Sequence, residues 1–230
     1  MTSRSDGRGS FASIPERAAP LPASITALLD AHHAGGVGEA DCRACSAPCC
    51  AQGGFAILEN LPLIYERYRR GLRRRDYSFA AGLTLREFLL TYFDITERAT
   101  GKRGQAEIVL LHMKSLSADG ELITVPAVGE YYEVRGQLFA DNPWLNRGCV
   151  FLSARTVSED DELKRSCLLH DPRSATQLTA KPIDCVYFTC DAPREARLPS
   201  EQESERWFRA LAAAYPGSGR RLAELLGDGD

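Results

Sequence analysis

The chain has no long apolar run and no excess of positive charge. Its first 24 residues contain charged residues, Ser, Gly and Pro, but not the apolar stretch of a secretory signal peptide. No stretch of about 18 uninterrupted apolar residues occurs, so the sequence predicts no transmembrane helix. The formal net charge is -3, which provides no general attraction for nucleic acid. We therefore expect a cytoplasmic protein without a membrane segment or a nucleic acid partner; a protein partner is not identified.

The short motifs of several enzyme classes are also missing. The sequence contains no Walker loop, no nucleophile elbow and no HExxH helix. It also lacks a glycine-rich strand-to-helix loop of the kind that often binds a methyl donor. These absences favour a binding protein over an enzyme. If the protein is an enzyme, methyl-transfer and redox activities are the classes left open.

The chain does contain eight cysteines, in a compact first group and a dispersed second group. They are Cys42, Cys45, Cys49 and Cys50, followed by Cys149, Cys167, Cys185 and Cys190. In a reducing cytosol, clustered cysteines are more often metal ligands or catalytic groups than disulfides. Thiolates are soft ligands that select zinc, copper(I) or iron–sulfur clusters. All eight cysteines are therefore candidate metal ligands.

The spacing within the first group narrows the type of site. Two residues separate Cys42 from Cys45, which lets two thiolates reach one metal ion. Cys49 and Cys50 are adjacent, and we expect them to serve different sites or different irons. A radical S-adenosylmethionine cluster is excluded, because its third cysteine would fall at Gln52. The bacterial ferredoxin run is excluded because three residues separate Cys45 from Cys49.

Several interpretations of the cysteines remain open. Eight thiolates suffice for two four-ligand sites, or for one cluster with a few structural or resolving thiols. We favour an iron–sulfur cluster of the 4Fe–4S type over zinc, because the ligands are all cysteine and no paired CxxC–CxxC ribbon is present. The alternatives are a disulfide framework, which requires an oxidising compartment, a thiol redox enzyme, and a set of unrelated buried cysteines.

Composition and patterning predict a small single α+β domain. Hydrophobic residues make up 44% of the chain, which is enough to build a core. Residues 1–22 are polar and are predicted to form a disordered N-terminal arm. Residues 23–230 are predicted to form a cysteine-cluster metal-binding domain, with its core motifs at 42–190. Long cysteine-bearing loops would converge on the metal site, between helical N- and C-terminal parts.

Helix signals occur at five places along the chain. The expected helices run from Ser24 to Gly35-Gly36, from Pro62 to Arg75, from Thr84 onward, from Ser200 to Pro216-Gly217, and from Arg220 to Leu226. Thr84 and Glu87 have the spacing of a capping box. In the middle of the chain, residues 106–115 and 121–126 are expected to pair as a β-hairpin about Asp119-Gly120.

Other side chains carry weaker functional signals. His170 lies three positions after Cys167, a ligand spacing, but we favour a hydrogen bond to a cluster sulfur or a role in loop shape over ligation. His112 lies in an apolar, strand-like run and is expected to be structural. The arginines of the run 67–75 are expected to form a solvated helix surface, with an acidic partner or RNA as the alternative.

The cysteines occur in four sequence contexts. These are CRACSAPCC at 42–50, Cys149-Val-Phe-Leu, Cys167-Leu-Leu-His170, and Lys181-Pro182-Ile-Asp-Cys185-Val-Tyr-Phe-Thr-Cys190. Over residues 40–190 the ordered set resembles the YkgJ family of cysteine cluster proteins. The family pattern is written CxxCxxCC, and the family is described as a zinc- or iron-chelating domain. The resemblance implies metal chelation by these eight cysteines.

The same resemblance implies an alternative function. Flagellin lysine N-methylases carry a similar cysteine set, which implies a methyltransferase-like enzyme or an accessory module with an iron–sulfur cluster. The chain also departs from the family pattern. A long segment separates Cys50 from Cys149, and Tyr215 stands where some relatives have a cysteine before Pro-Gly. These departures bear on the exact ligand set.

Overall fold

The computed structural model describes residues 19–33, 54–74, 77–100, 106–117, 119–123, 148–153, 167–187 and 201–227. Its helices are α1 (Ala23–His33), α2 (Leu61–Gly71), α3 (Leu85–Tyr92), α4 (Ile183–Tyr187), α5 (Glu201–Ala214) and α6 (Ser218–Leu226). Its strands are β1 (Phe55–Ile57), β2 (Phe93–Thr100), β3 (Ala106–Met113), β4 (Ser115–Leu116), β5 (Leu122–Ile123) and β6 (Gly148–Cys149). Short 3-10 helices span Leu58–Asn60 and Pro172–Ala175. The predicted α+β class is confirmed.

The main sheet has three antiparallel strands in the order β1-β3-β2. The central strand β3 pairs with β2 along its full length. Successive side chains of a strand point to opposite faces, and both faces of β3 are covered. Ile108 and Leu110 belong to one hydrophobic cluster, whereas Val109 and Leu111 belong to the other. A strand buried on both sides has a continuous apolar run rather than an alternating pattern.

One face of the sheet packs against α2, α3 and a group of rings that we call the aromatic cluster. Its members are Tyr65, Tyr68, Tyr77, Phe79, Phe88, Tyr92, Phe93 and Phe151. The ring centroids of Tyr68 and Phe88 are 4.6 Å apart. The Tyr68 hydroxyl donates to the carbonyl oxygen of Ala80, and the Ala80 N–H donates to the Tyr92 hydroxyl at 2.7 Å. The cluster therefore satisfies its buried hydroxyls by fixing the segment that leads to α3.

The other face of the sheet packs against α1, α4 and α5. Ile25 of α1 and Leu211 of α5 are completely buried there, next to Trp207. Three rings link the helices, because Tyr187 of α4 stacks on His32 of α1 at 4.3 Å and on Trp207 of α5 at 4.4 Å. The position of α4, which carries Cys185, is therefore set by contacts with both neighbouring helices.

Five predicted helices and one capping box are confirmed. The helices expected from Ser24, Pro62, Thr84 and Arg220 correspond to α1, α2, α3 and α6. The Thr84 hydroxyl accepts from the Glu87 N–H at 3.2 Å, while the Glu87 carboxylate accepts from the Thr84 N–H at 2.8 Å. The helix expected from Ser200 corresponds to α5, and its predicted core residues Trp207, Phe208 and Leu211 are buried.

The predicted hairpin is wrong in its extent and in its partner. A turn at Asp119-Gly120 does exist, with Gly120 at φ 87°, but it joins only the two-residue strands β4 and β5. The long strand β3 pairs with β2 and β1 instead. The β2 strand was missed because it begins at Phe93, directly after the last residue of α3, without a Gly or Pro to mark the change.

The last residues of the predicted N-terminal arm pack against the folded part of the chain. Residues 1–18 of the predicted arm lie outside the described residues, whereas Pro20 forms a β-bridge with Gln177 and Leu21 is buried. Among the helices that the structure describes, none is long and apolar enough to cross a bilayer.

Candidate metal centre

Three of the eight candidate ligands lie in the described part of the chain: Cys149, Cys167 and Cys185. Cys149 is buried, and the other two are partly buried. All three side chains pack in or against the same hydrophobic cluster, the one that contains the aromatic rings. No disulfide links these three residues to one another. The remaining candidates, Cys42, Cys45, Cys49, Cys50 and Cys190, lie outside the described residues.

Cys149 and Cys167 belong to one backbone unit. Cys149 lies on β6 and pairs with Ser115 of β4. Three residues later the chain forms a β-bridge between Leu152 and Cys167, and the Leu168 N–H donates to the Phe151 carbonyl at 2.9 Å. The first two cysteines of the dispersed group are therefore tied together by main-chain hydrogen bonds.

Cys185 is positioned by a buried asparagine. The Asn60 side chain accepts from the Ile57 N–H at 3.1 Å and donates to the carbonyl oxygens of Thr179 at 2.8 Å and Lys181 at 3.4 Å. Asn60 is fully buried, so these bonds have no competition from water. They join the end of β1 to the segment that leads into α4 and Cys185.

Gly54, Asp184 and Cys185 meet at a point that we call the Gly54 cleft. A Cβ atom built on Gly54 would lie 2.9 Å from the Cys185 Sγ and 3.2 Å from the Asp184 Oδ2. The distance to the Cys185 sulfur is shorter than the contacts that real Cβ atoms make. Any residue other than glycine would therefore force a neighbouring atom to move. The missing side chain leaves room for the sulfur and the carboxylate to lie side by side. The Phe55 N–H also donates to Asp184 Oδ2, at 3.4 Å.

The Asp184 carboxyl is buried, and no cationic side chain of the described residues pairs with it. Asp184 is 8% exposed, and its Oδ1 atom makes no hydrogen bond. Burial raises the pKa of Asp184 to about 8, and only the long Phe55 hydrogen bond opposes that shift. A buried carboxyl in this state next to a thiol is a recognised signal of a functional site.

The donors at the Gly54 cleft fit a metal ion. Zinc accepts both cysteine sulfur and carboxylate oxygen, and a cation there would offset the cost of burying Asp184. The cleft alone is not a complete site. Within the described ranges, no three His, Cys, Asp or Glu residues come together as a metal-binding group. Further ligands would have to come from the remainder of the chain.

The structure describes contacts of the other candidate residues, and it confirms the structural role expected of His112. His112 is buried, and its Nε2 lies 2.8 Å from the Thr96 hydroxyl, as expected for a structural histidine. The backbone N–H of His170 donates to the Cys167 carbonyl at 3.2 Å, which closes a turn, and ligation by its imidazole stays a prediction. Arg67 pairs with Asp171 at 3.2 Å, and Arg70 pairs with Glu66 at 3.3 Å. Part of the charge of the arginine run is thus neutralised within the molecule.

Sequence reasoning missed three residues of the site: Gly54, Asn60 and Asp184. Asp184 is in the first turn of α4, where an acidic residue is usually explained by the helix dipole. Asn60 resembles an ordinary N-terminal helix residue. Gly54 carried a usable signal, because a glycine just after a cysteine group and just before an apolar strand often marks a close approach.

The described residues form a small α+β fold in which a cysteine sulfur and a buried carboxylate lie together in the first turn of α4. No family model, curated protein or solved structure matches the chain. The three residues between Cys45 and Cys49 are one more than the CxxCxxCC pattern contains. The resemblance to cysteine cluster proteins therefore stays a prediction that depends on the cysteines themselves.

Proposed function

We propose that the protein binds a metal centre, an iron–sulfur cluster or zinc, through cysteines from both groups. The observation that carries the proposal is the contact of the Cys185 sulfur with Gly54. Cys50 is only four residues before Gly54, so the chain length limits their Cα separation to about 14 Å. The chain length therefore allows the first cysteine group to approach Cys185 of the second group at the Gly54 cleft.

The proposed ligands divide into those that are near Gly54 or Cys185 in sequence and the pair Cys149 and Cys167, which main-chain hydrogen bonds tie together. Cys185 is at the cleft, Cys190 is five residues further along the chain, and Cys42, Cys45, Cys49 and Cys50 precede Gly54. Cys149 and Cys167 complete the eight. A bound metal would join segments that lie far apart in sequence, and structural zinc contributes about 10 kcal/mol or more to the folding of small peptides.

The test is elemental analysis and a visible spectrum of anaerobically purified protein. An iron–sulfur cluster gives a brown preparation with absorbance near about 400 nm that dithionite bleaches, because thiolate-bound iron is redox-active. Zinc gives a colourless preparation with stoichiometric metal. A stable, folded preparation without metal contradicts the proposal. Calorimetry with S-adenosylmethionine tests the methyltransferase-like alternative separately.

A further inference from the structure

We propose that Asp184 is a ligand of the metal centre to which Cys185 belongs, with its carboxylate oxygen binding beside the cysteine sulfur. The inference rests on the proposed metal-binding function and changes its ligand set. The site would be a mixed sulfur–oxygen centre rather than one made of cysteines alone.

The first argument is geometric. Consecutive residues of a helix are rotated by about 100° from each other, so adjacent side chains ordinarily point in different directions. Asp184 and Cys185 are consecutive in α4, yet Oδ2 and Sγ both lie within 3.2 Å of the same point over Gly54. The sulfur and the carboxylate oxygen therefore lie next to each other beside Gly54. This arrangement lets both atoms bind one metal ion.

The second argument compares the buried aspartates of the described residues. Asp94 lies 3.9 Å from the Lys114 ammonium, and Asp171 lies 2.7 Å from the Arg173 guanidinium. Among the described residues no cationic side chain pairs with Asp184, and its Oδ1 makes no hydrogen bond. Burying an ionised carboxylate without a counter-charge costs several kcal/mol, and proteins keep acidic side chains at such places mainly where a cation is bound or chemistry occurs.

The third argument concerns the kind of metal. Zinc binds cysteine sulfur at about 2.3 Å and carboxylate oxygen at about 2.0–2.2 Å, so both donors can share one ion. A carboxylate is a hard ligand that copper(I) disfavours. The mixed pair therefore fits zinc, or an iron with one oxygen ligand, and argues against copper(I).

The experiment uses the full-length chain and the variants Asp184→Asn and Asp94→Asn, all purified anaerobically. Metal content per chain is measured first, and then the rate at which a chelator removes the metal. We expect Asp184→Asn to lose metal at least about tenfold faster than wild type, because an amide is a weaker ligand. Asp94→Asn also removes a buried carboxylate, but one that pairs with Lys114 instead of lying beside the Cys185 sulfur, and should retain the metal at the wild-type rate.

X-ray absorption at the metal edge separates a ligand from a merely structural residue. The wild type should show an oxygen-type neighbour at about 2.0–2.2 Å in addition to sulfur, and Asp184→Ala should lose it. Asp184→Ala also serves as the test variant if Asp184→Asn does not fold. If wild type and Asp184 variants release metal equally and give the same spectrum, the assignment of Asp184 is wrong but metal binding stands. If the wild type binds no metal, the proposed function itself fails.

Discussion

Gly54 is the residue whose substitution tests the cleft without removing a donor atom. In Gly54→Ala the new Cβ would lie 2.9 Å from the Cys185 sulfur and must displace it. We expect about 1–3 kcal/mol of destabilisation from overpacking, together with faster loss of metal to a chelator. Gly219→Ala is the matched control, because its nearest neighbour, a Glu107 oxygen, is 3.5 Å away. Equal metal retention in both variants would show that the cleft is not part of the centre.

Asp171 gives a pH-dependent prediction away from the proposed ligands. Its hydrogen bonds and charge interactions with Arg173, with a contribution from Arg67, lower the pKa of Asp171 from 3.8 to about 2. A lowered pKa means that the contribution to stability is present above pH 3.8 and disappears as the pH falls toward 2. Arg173 is 60% exposed, so solvent screening reduces the effect to about 1–2 kcal/mol.

The measurement is the free energy of unfolding of wild type and Asp171→Asn at several pH values. The difference between them should be largest near neutral pH and should shrink between pH 3.8 and about 2. Asp119→Asn, on the exposed hairpin turn, is the control and should follow the wild type. A difference that does not change over this pH range would refute the role of the Arg173 contact.

At the scale of secondary structure, Asn60 joins β1 to the segment before α4. Asn60→Ala leaves the Ile57 N–H and the Thr179 carbonyl without partners in a buried site. We expect a loss of about 2–4 kcal/mol, since each unsatisfied buried group costs about 1–3 kcal/mol. Because the same bonds fix the approach to Cys185, metal should also be lost faster.

Thr84→Ala provides a destabilised control for the Asn60 experiment. It removes the N-terminal cap of α3, which typically costs about 1 kcal/mol, and leaves the contacts of α4 unchanged. Chemical denaturation should show both variants to be less stable, but only Asn60→Ala should release metal faster. Faster release from both would mean that metal loss reports general stability, and would remove the specific role of Asn60.

The secondary structure shows which features can be predicted from local signals. Helices α3 and α6 were predictable because caps, glycines and apolar spacing mark their ends within a few residues. The pairing of β3 with β2 was not predictable, because β2 follows α3 without a break. The register of β3 depends on burial from both sides. The aromatic cluster is likewise a tertiary feature, whose rings come from residues far apart in sequence.

At the scale of the whole molecule, the candidate site depends on contacts that sequence spacing cannot reveal. The cysteine positions predicted a metal site, but not that Gly54 touches Cys185 or that Asn60 links residues more than a hundred positions away. The Asp184 carboxylate was overlooked for the same reason, because its neighbours become evident only after folding. Long-range proximity was therefore the missing information, rather than any local signal.

The convergence of the two cysteine groups can be tested by double-mutant cycles on the full chain. Cys50→Ser and Cys185→Ser are made singly and together, and the free energy of unfolding is measured with metal bound. Residues that share one centre should be strongly coupled, by more than about 0.5 kcal/mol, because the first substitution already removes the site on which the second would act. A second cycle uses Cys49→Ser in place of Cys50→Ser. If Cys49 and Cys50 serve separate sites, only one of them should couple to Cys185. If they serve one cluster, both should. Additive effects in both cycles would mean that Cys185 binds its metal without this pair, and the proposed convergence at the Gly54 cleft would be wrong.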